Sequence, residues 1–316
     1  MTAICYEDQQ FDLQNDETVL DCLLRNNIQY SHSCKSGVCQ SCVGKITEGE
    51  ADPDWQKGLK ETLCHQNYFL PCIAKPKDTI SFTTSNNSEI DAPAIIKDIS
   101  YLNYNIISLK LSVDDLSIWT PGQYINLVSP LGEIRSYSIA NLPLEDGYVE
   151  LHIKIIEHGK MGRWLNENAT IGTAVKLRGP IGDCFYYNPN KEQYPLLLAG
   201  TSTGLAPLIA IMREAIKQNH QGEIIIIHGG YEEKDLYYNS QLAELIKSHE
   251  NINYYRSILS DSDSKPIDKI LLQHAIKHNT AKVYVCGPAE TTKKLKTAAF
   301  LSGIPSKNLH SDAFIY

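Results

Sequence analysis

Residues 34–50 read CKSGVCQSCVGKITEGE and gather three thiols, Cys34, Cys39 and Cys42, into nine positions. A fourth, Cys72, follows in YFLPCIAKP with 29 residues between it and Cys42. The set is C-x4-C-x2-C…C, the spacing of a plant-type [2Fe–2S] centre. Four thiolates must converge on two irons, so three come from one tight loop and one from a distant segment. Gly37 lets the loop backbone bend, and its neighbours can donate N–H bonds to sulfur. Ser33, Ser36 and Ser41 keep the loop small and polar. The alternative is a structural zinc site, which brings its cysteines as two short pairs. Here a four-residue gap precedes the single C-x2-C. Cys5, Cys22, Cys64 and Cys184 have no matching partners and read as small buried hydrophobes.

The rest of the composition bounds the molecule. A chain of 316 residues exceeds one ordinary core, so two or three domains are expected. Hydrophobic content is 42% and charged content 21%, as in soluble globular proteins. The apolar runs are too short to span a bilayer, and MTAICYEDQQ carries no secretory signal, so a cytoplasmic protein off the membrane is expected. In a reducing compartment nine cysteines serve metal or catalysis rather than disulfides. A net charge of −8 argues against a nucleic-acid binder, whose phosphate contacts need a basic face. The charge is uneven: residues 1–80 hold twelve Asp/Glu against seven Lys/Arg, net −5, and the remaining residues carry −3. An acidic first quarter suits docking on a basic protein surface.

Three segments separate by pattern. Residues 1–84 mix short strands with one amphipathic helix in NDETVLDCLLRNN. There Asp16 or Asn15 can cap, and Val19, Leu20, Leu23 and Leu24 form an apolar face. Residues 85–93 are polar, aperiodic and end in proline, as a linker does. Residues 94–190 hold short strands, IISLKLSV, YINLVS, SYSIA, YVELHIKII and AVKLRG, separated by turn signals, which predicts an antiparallel barrel. Residues 191–316 alternate strand and helix: YPLLLAG before LAPLIAIMREAIKQ, EIIIIHGG before SQLAELIKSH, PIDKILLQHAIKH, and KVYVCGP before ETTKKLKTAAFLSG. Buried strands alternating with helices mean a doubly wound parallel α/β sheet.

On these motifs the chain resembles plant-type ferredoxins over its first eighty residues and the ferredoxin–NAD(P)+ reductase superfamily over the rest. The module order is similar to that of reductase components of bacterial multicomponent oxygenases, such as those of benzoate, naphthalene and methane. The resemblance implies a β-grasp ferredoxin, a Greek-key flavin barrel and a nicotinamide domain. RSYSIA is similar to the R-x-Y-S flavin motif. Arg135 would then hold flavin phosphates, Tyr137 would pack on the ring system and Ser138 would hydrogen-bond near N5. HIKIIEHGKMGRWL resembles the second flavin segment, with His152, Lys154, Gly159, Met161 and Gly162 as contacts; Gly162 stands where a hydroxyl residue is usual. GPIGDCF matches the close of the barrel, and FAD is favoured by the branch resembled.

LLLAGTSTGLAPL follows a strand and opens a helix, the context a phosphate loop requires. It resembles G-T-G-T-G-x-A-P, with Gly200, Thr201, Ser202, Thr203, Gly204 and Pro207 as coenzyme contacts and Ser202 in place of a glycine. VYVCGPAE resembles the C-G-P segment, which sets Cys286, Gly287 and Pro288 beside the nicotinamide. HSDAFIY resembles the terminal D-A-F: Phe314 would cover the flavin and Asp312 would orient groups near the hydride path. Gly229, Tyr231 and Glu232, at the end of EIIIIHGG and in YEEKDLYY, would lie near the adenosine ribose. There Glu232 and Glu233, with only Lys234 basic, would repel a 2′-phosphate, so NADH is expected as donor.

The implied activity is electron transfer from NADH through FAD and [2Fe–2S] to a terminal oxygenase of Rieske type. Ser138, Cys286, Asp312 and Phe314 would serve the chemistry, and the protein would be a monomer. The alternatives are a reductase for a deoxysugar-biosynthesis dehydratase or for a di-iron monooxygenase. A non-enzymatic zinc-binding module is a further one, which the complete thiol set argues against.

Overall fold

A computed structural model of the chain describes residues 2–84 and 90–314. They form two compact units, 1–89 and 90–316. Segment 85–89 of the expected linker lies outside the described residues. The remaining linker positions, 90–93, belong to a strand instead. Pro93 is paired there with Lys176 on one side only, the pairing on the other side starting at Ala94, so a residue without an N–H is accommodated.

The first unit is one mixed sheet with helices against it. Its strands are β1 (Ala3–Tyr6), β2 (Gln9–Asp12), β3 (Gly44–Glu48), β4 (Tyr68–Phe69) and β5 (Ile80–Thr84), in the order β2-β1-β5-β3-β4. Strands β1 and β5 run parallel and the other neighbours antiparallel. Helix α1 (Val19–Arg25) buries Val19, Leu20 and Leu23 in a core with Ile4, Phe69 and Phe82. Its cap is Thr18, whose hydroxyl accepts the Asp21 N–H at 3.1 Å, and not Asp16 or Asn15. Asp16 has φ +59°, whereas a cap residue must be extended, as Thr18 is. Helix α2 (Glu61–His65) precedes β4. The cysteine loop runs between α1 and β3. Gly37, at φ +79°, lies so close to Ile73 that a Cβ would stand 3.1 Å from its side chain. That approach seats the loop beside Cys72.

The second unit opens with a six-stranded antiparallel barrel. Its strands are β6 (Ile90–Tyr101), β7 (Ile106–Val113), β8 (Tyr124–Val128) and β9 (Ile134–Ser138), then, after helix α3 (Pro143–Asp146), β10 (Val149–Lys154), helix α4 (Lys160–Glu167) and β11 (Ala174–Ile181). The order β10-β7-β6-β11-β8-β9 is closed by an Ile139–Leu151 bridge. Along β10, Val149, Leu151 and Ile153 fill the barrel core, which turns Glu150, His152 and Lys154 to the other face.

A parallel sheet follows. Its elements are β12 (Leu196–Thr201), α5 (Leu205–Lys217), β13 (Ile224–Gly230), α6 (Asn239–Ser248), β14 (Ile252–Ile258), α7 (Ile267–Lys277), β15 (Lys282–Pro288), α8 (Ala289–Leu301) and β16 (Leu309–Phe314). The order is β14-β13-β12-β15-β16. Strands β14 and β16 are not among those expected from the pattern. Both are edge strands, and β14 keeps Tyr255 and Arg256 exposed, so neither shows a continuous apolar run. Arg213 of α5 clasps Asp146 of α3 through two bonds of 2.8 and 2.7 Å, fixing barrel to sheet. No described helix is long and apolar enough to cross a membrane.

Candidate functional site

The four cysteines of the first unit fall into two pairs. The Cys34 sulfur accepts the N–H groups of Ser36 at 3.4 Å and Cys39 at 3.3 Å, and the Cys39 sulfur accepts the Cys34 N–H at 3.4 Å. The Ser36 hydroxyl, with these amides, draws the Cys34 thiol down to about 5. Cys39 is lowered by the Ser41 hydroxyl and the Cys34 amide. Cys42 and Cys72 are buried free thiols close to each other, and burial pushes Cys42 up to about 12. Among the described residues no three His, Cys, Asp or Glu side chains converge to hold a single metal ion. Thiols held as pairs, one pair already favoured as thiolate, fit a two-iron cluster, in which each iron draws on two protein ligands.

In the second unit β9, β10, α4 and β16 enclose a cavity of about 630 Å³. It is lined by Arg135, Tyr137, Ser138, His152, Lys154, Gly159, Met161, Gly162, Thr203, Asp312 and Phe314, so residues scattered over 180 positions meet at one place. Arg135 donates to the Ile134 carbonyl at 2.7 Å and lies 4.0 Å from Glu133. Lys160, in the first turn of α4, reaches the same carboxylate at 3.2 Å and also lines the cavity. The sequence reading missed Lys160, since a lone surface lysine carries no pattern. Burial raises the Tyr137 phenol. Ser138 donates its hydroxyl to Asp312 at 2.7 Å, and burial lifts the Asp312 carboxyl to about 6. His152 stands 3.4 Å from the buried Glu150 carboxylate, which accepts the Ser108 hydroxyl, and its other ring nitrogen meets the Tyr237 hydroxyl at 3.0 Å. Size, two cations at the mouth and an apolar interior fit a flavin with a phosphate tail.

The remaining expected residues gather at the carboxyl ends of β12, β13 and β15. Strand β12 pairs with β13 on one side and β15 on the other, and this reversal of strand order is where such sheets build a crevice. A Cβ on Gly204 would stand 2.2 Å from the Cys286 carbonyl, and one on Gly200 2.9 Å from the Gly204 carbonyl. Only glycine lets α5 start this close to β15. Gly287 lies at φ +135° against Thr201, whose buried hydroxyl has no partner among the described residues. Gly229 also packs on Thr201, Pro207 sits in the first turn of α5, and Pro288 precedes α8. Ser202 takes φ +54°, the left-handed conformation that explains the glycine of similar loops. A close-packed loop at a helix start fits a dinucleotide phosphate. The Cys286 thiol is buried 3.7 Å from that of Cys184 and does not line the flavin-sized cavity. Tyr231 and Glu232 stand in the loop after β13.

Comparisons with known proteins find three domain families along the chain. The 2Fe-2S iron-sulfur cluster binding domain matches residues 3–77, the oxidoreductase FAD-binding domain 94–186 and the oxidoreductase NAD-binding domain 197–296. The reductase component of the naphthalene 1,2-dioxygenase system of Pseudomonas putida is 27% identical over 94% of this chain and 93% of its own. The CDP-6-deoxy-L-threo-D-glycero-4-hexulose-3-dehydrase reductase of Yersinia pestis is 26% identical over 96% and 95%. A cytochrome P450 reductase from Amycolatopsis shares the fold, with a TM-score of 0.67 at 24% identity over 99% of both chains. The chain is therefore an oxidoreductase that fuses a 2Fe-2S iron-sulfur cluster binding domain, an FAD-binding domain and an NAD-binding domain in one polypeptide, homologous to the reductase components of naphthalene and toluate dioxygenase systems.

Proposed function

We propose that this chain takes electrons from NADH and delivers them singly to a separate protein, a terminal oxygenase of Rieske type. The observation that carries the reading is the fusion of all three modules, with barrel and nicotinamide sheet meeting at the Ser138–Asp312 bond. When bound, FAD and the cluster supply the redox chemistry, exchanging electrons in pairs and singly. The residues orient and shield. Arg135 and Lys160 meet the flavin phosphates, helped by the amides at Gly159, Met161 and Gly162. Tyr137 packs on the ring system, and Phe314 covers it against water. Ser138, held by its bond to Asp312, would hydrogen-bond at the ring edge. His152 and Lys154 line the same wall. Gly200, Thr201, Ser202, Thr203, Gly204 and Pro207 hold the coenzyme pyrophosphate, with Gly229, Tyr231 and Glu232 at the ribose. Cys286, Gly287 and Pro288 border the nicotinamide. Cys34, Cys39, Cys42 and Cys72 ligate the irons.

Nine cysteines, four of them assigned to the cluster, support a reducing, cytoplasmic setting, and one polypeptide carrying every module supports a monomer. The similarity to the Yersinia reductase supports a second reading, in which a deoxysugar dehydratase is the acceptor. Cys34→Ser tests the series arrangement. Cytochrome c reduction, drawn from the cluster, is expected to fall at least about tenfold, while NADH-driven ferricyanide reduction at the flavin persists. Equal loss of both would show that the modules do not act in series. Reduction of a purified Rieske oxygenase, set against a sugar dehydratase, decides between the acceptors.

A further inference from the structure

The loop after β13 is rigidly held, and its charges are already paired. Asp235 accepts the N–H groups of Tyr231 at 3.1 Å and Glu232 at 2.8 Å, and its other oxygen takes the Tyr104 hydroxyl from the β6–β7 turn. Asn103 of the same turn donates to the Lys234 carbonyl at 3.2 Å. Lys234 in turn meets the Glu232 carboxylate at 2.6 Å and lies over the Tyr104 ring. Beyond these stands a second cation that the sequence reading did not see. Arg256, on β14 and opposite His228 in register, is bonded to the Glu233 carboxylate. Its side chain keeps 42% of its surface exposed. The end of the second strand is where dinucleotide sheets meet the adenosine ribose, and an arginine close by is what accommodates a 2′-phosphate.

We propose that Glu233 sets the choice of coenzyme by neutralising Arg256, and that the protein carries a masked receptor for the 2′-phosphate of NADPH. The proposal rests on the reading that residues 231–235 face the coenzyme ribose. The guanidinium fork matches two phosphate oxygens, a geometry that Lys234 lacks. With Glu233 in place the fork is filled by a carboxylate, and an incoming dianion meets Glu232 and Glu233 as well. The pair is solvent-exposed and so worth little by itself. Removing one charge is therefore enough to free the arginine.

The experiment uses the holoprotein, with ferricyanide as acceptor. In Glu233→Gln the ratio of kcat/KM for NADPH to that for NADH is expected to rise about tenfold. Competitive inhibition by adenosine 2′,5′-bisphosphate, relative to adenosine 5′-monophosphate, should strengthen by a similar factor. Both gains should vanish in Glu233→Gln/Arg256→Gln. A ratio that moves less than about twofold, or a gain that survives loss of the arginine, overturns the proposal. Tyr231→Ala separates this from failure of the underlying reading. An unchanged KM for NADH there, with neither nucleotide competing, removes the loop from the ribose and the proposal with it. A raised KM beside an unmoved ratio in Glu233→Gln overturns the arginine assignment alone.

Discussion

Asp312 shows how one carboxyl reports on its surroundings. Burial lifts it to about 6, against the Ser138 hydroxyl that steadies its charged form. An unfolded aspartate titrates near 4. Between these values the folded protein keeps a proton that the unfolded chain has lost. Stability from this group is therefore highest below about pH 4, declines as pH rises to about 6, and is level above that. Asp312→Asn, neutral throughout, should stabilise the holoprotein most at pH 8, by up to about 3 kcal/mol, and least near pH 4. Melting temperatures at the two pH values check this, and an equal gain at both would sink it. NADH-driven ferricyanide reduction by the unaltered protein should also bend near pH 6, and the variant should lose that bend. The position of Asp312 was legible from the D-A-F pattern; its bond to Ser138 was not, because nothing local in the sequence encodes a contact across 174 residues.

Helix α4 offers a test of one element. Gly162 sits in its first turn, buried, where a Cβ would meet Ile155 at an ordinary 3.4 Å. Glycine costs a helix roughly 0.5–1 kcal/mol, and here also omits a hydroxyl beside the flavin cavity. Gly162→Ser should lower the dissociation constant for FAD by roughly three- to tenfold, the worth of one added hydrogen bond. Fluorescence titration of flavin-stripped protein measures it, and an unmoved constant would leave the glycine without consequence. Elements with a strong period were readable: β13 and α5 lie where apolar runs place them. Those that failed share a physical cause. The first third of β6 reads as polar linker because its start is paired on one side only, and β14 has an open edge with two exposed residues. Arg256 was missed because its strand was missed. The thiol quartet was legible because ligand spacing survives any detail of the loop. The Cys34–Cys39 and Cys42–Cys72 pairing needed the fold.

At the scale of the whole molecule the charge asymmetry becomes a prediction about encounter. Of the twelve acidic residues before position 81, all but Glu17 are exposed. Such a surface steers a basic acceptor towards the cluster-bearing unit, and the attraction is screened over about 10 Å near 0.1 M salt. Reduction of the acceptor at subsaturating concentration should therefore slow several-fold between about 0.05 and 0.3 M salt. A flat profile would reduce the acidic bias to a contribution to solubility.

Strand β16 brings Asp312 and Phe314 to a cavity whose adjoining wall, β9, is made 174 residues earlier. On a ribosome adding about 5–20 residues per second, that interval lasts on the order of ten seconds or more. The barrel can fold in that time, because its strands and helix α4 are complete by residue 181. A flavin arriving early would meet β9, β10 and α4, with the side that β16 covers still open to water. Docking of β16 at the edge of the finished parallel sheet then seals the cavity. The order of modules along the chain thus leaves an interval in which the flavin wall is complete before the nicotinamide sheet can close over it.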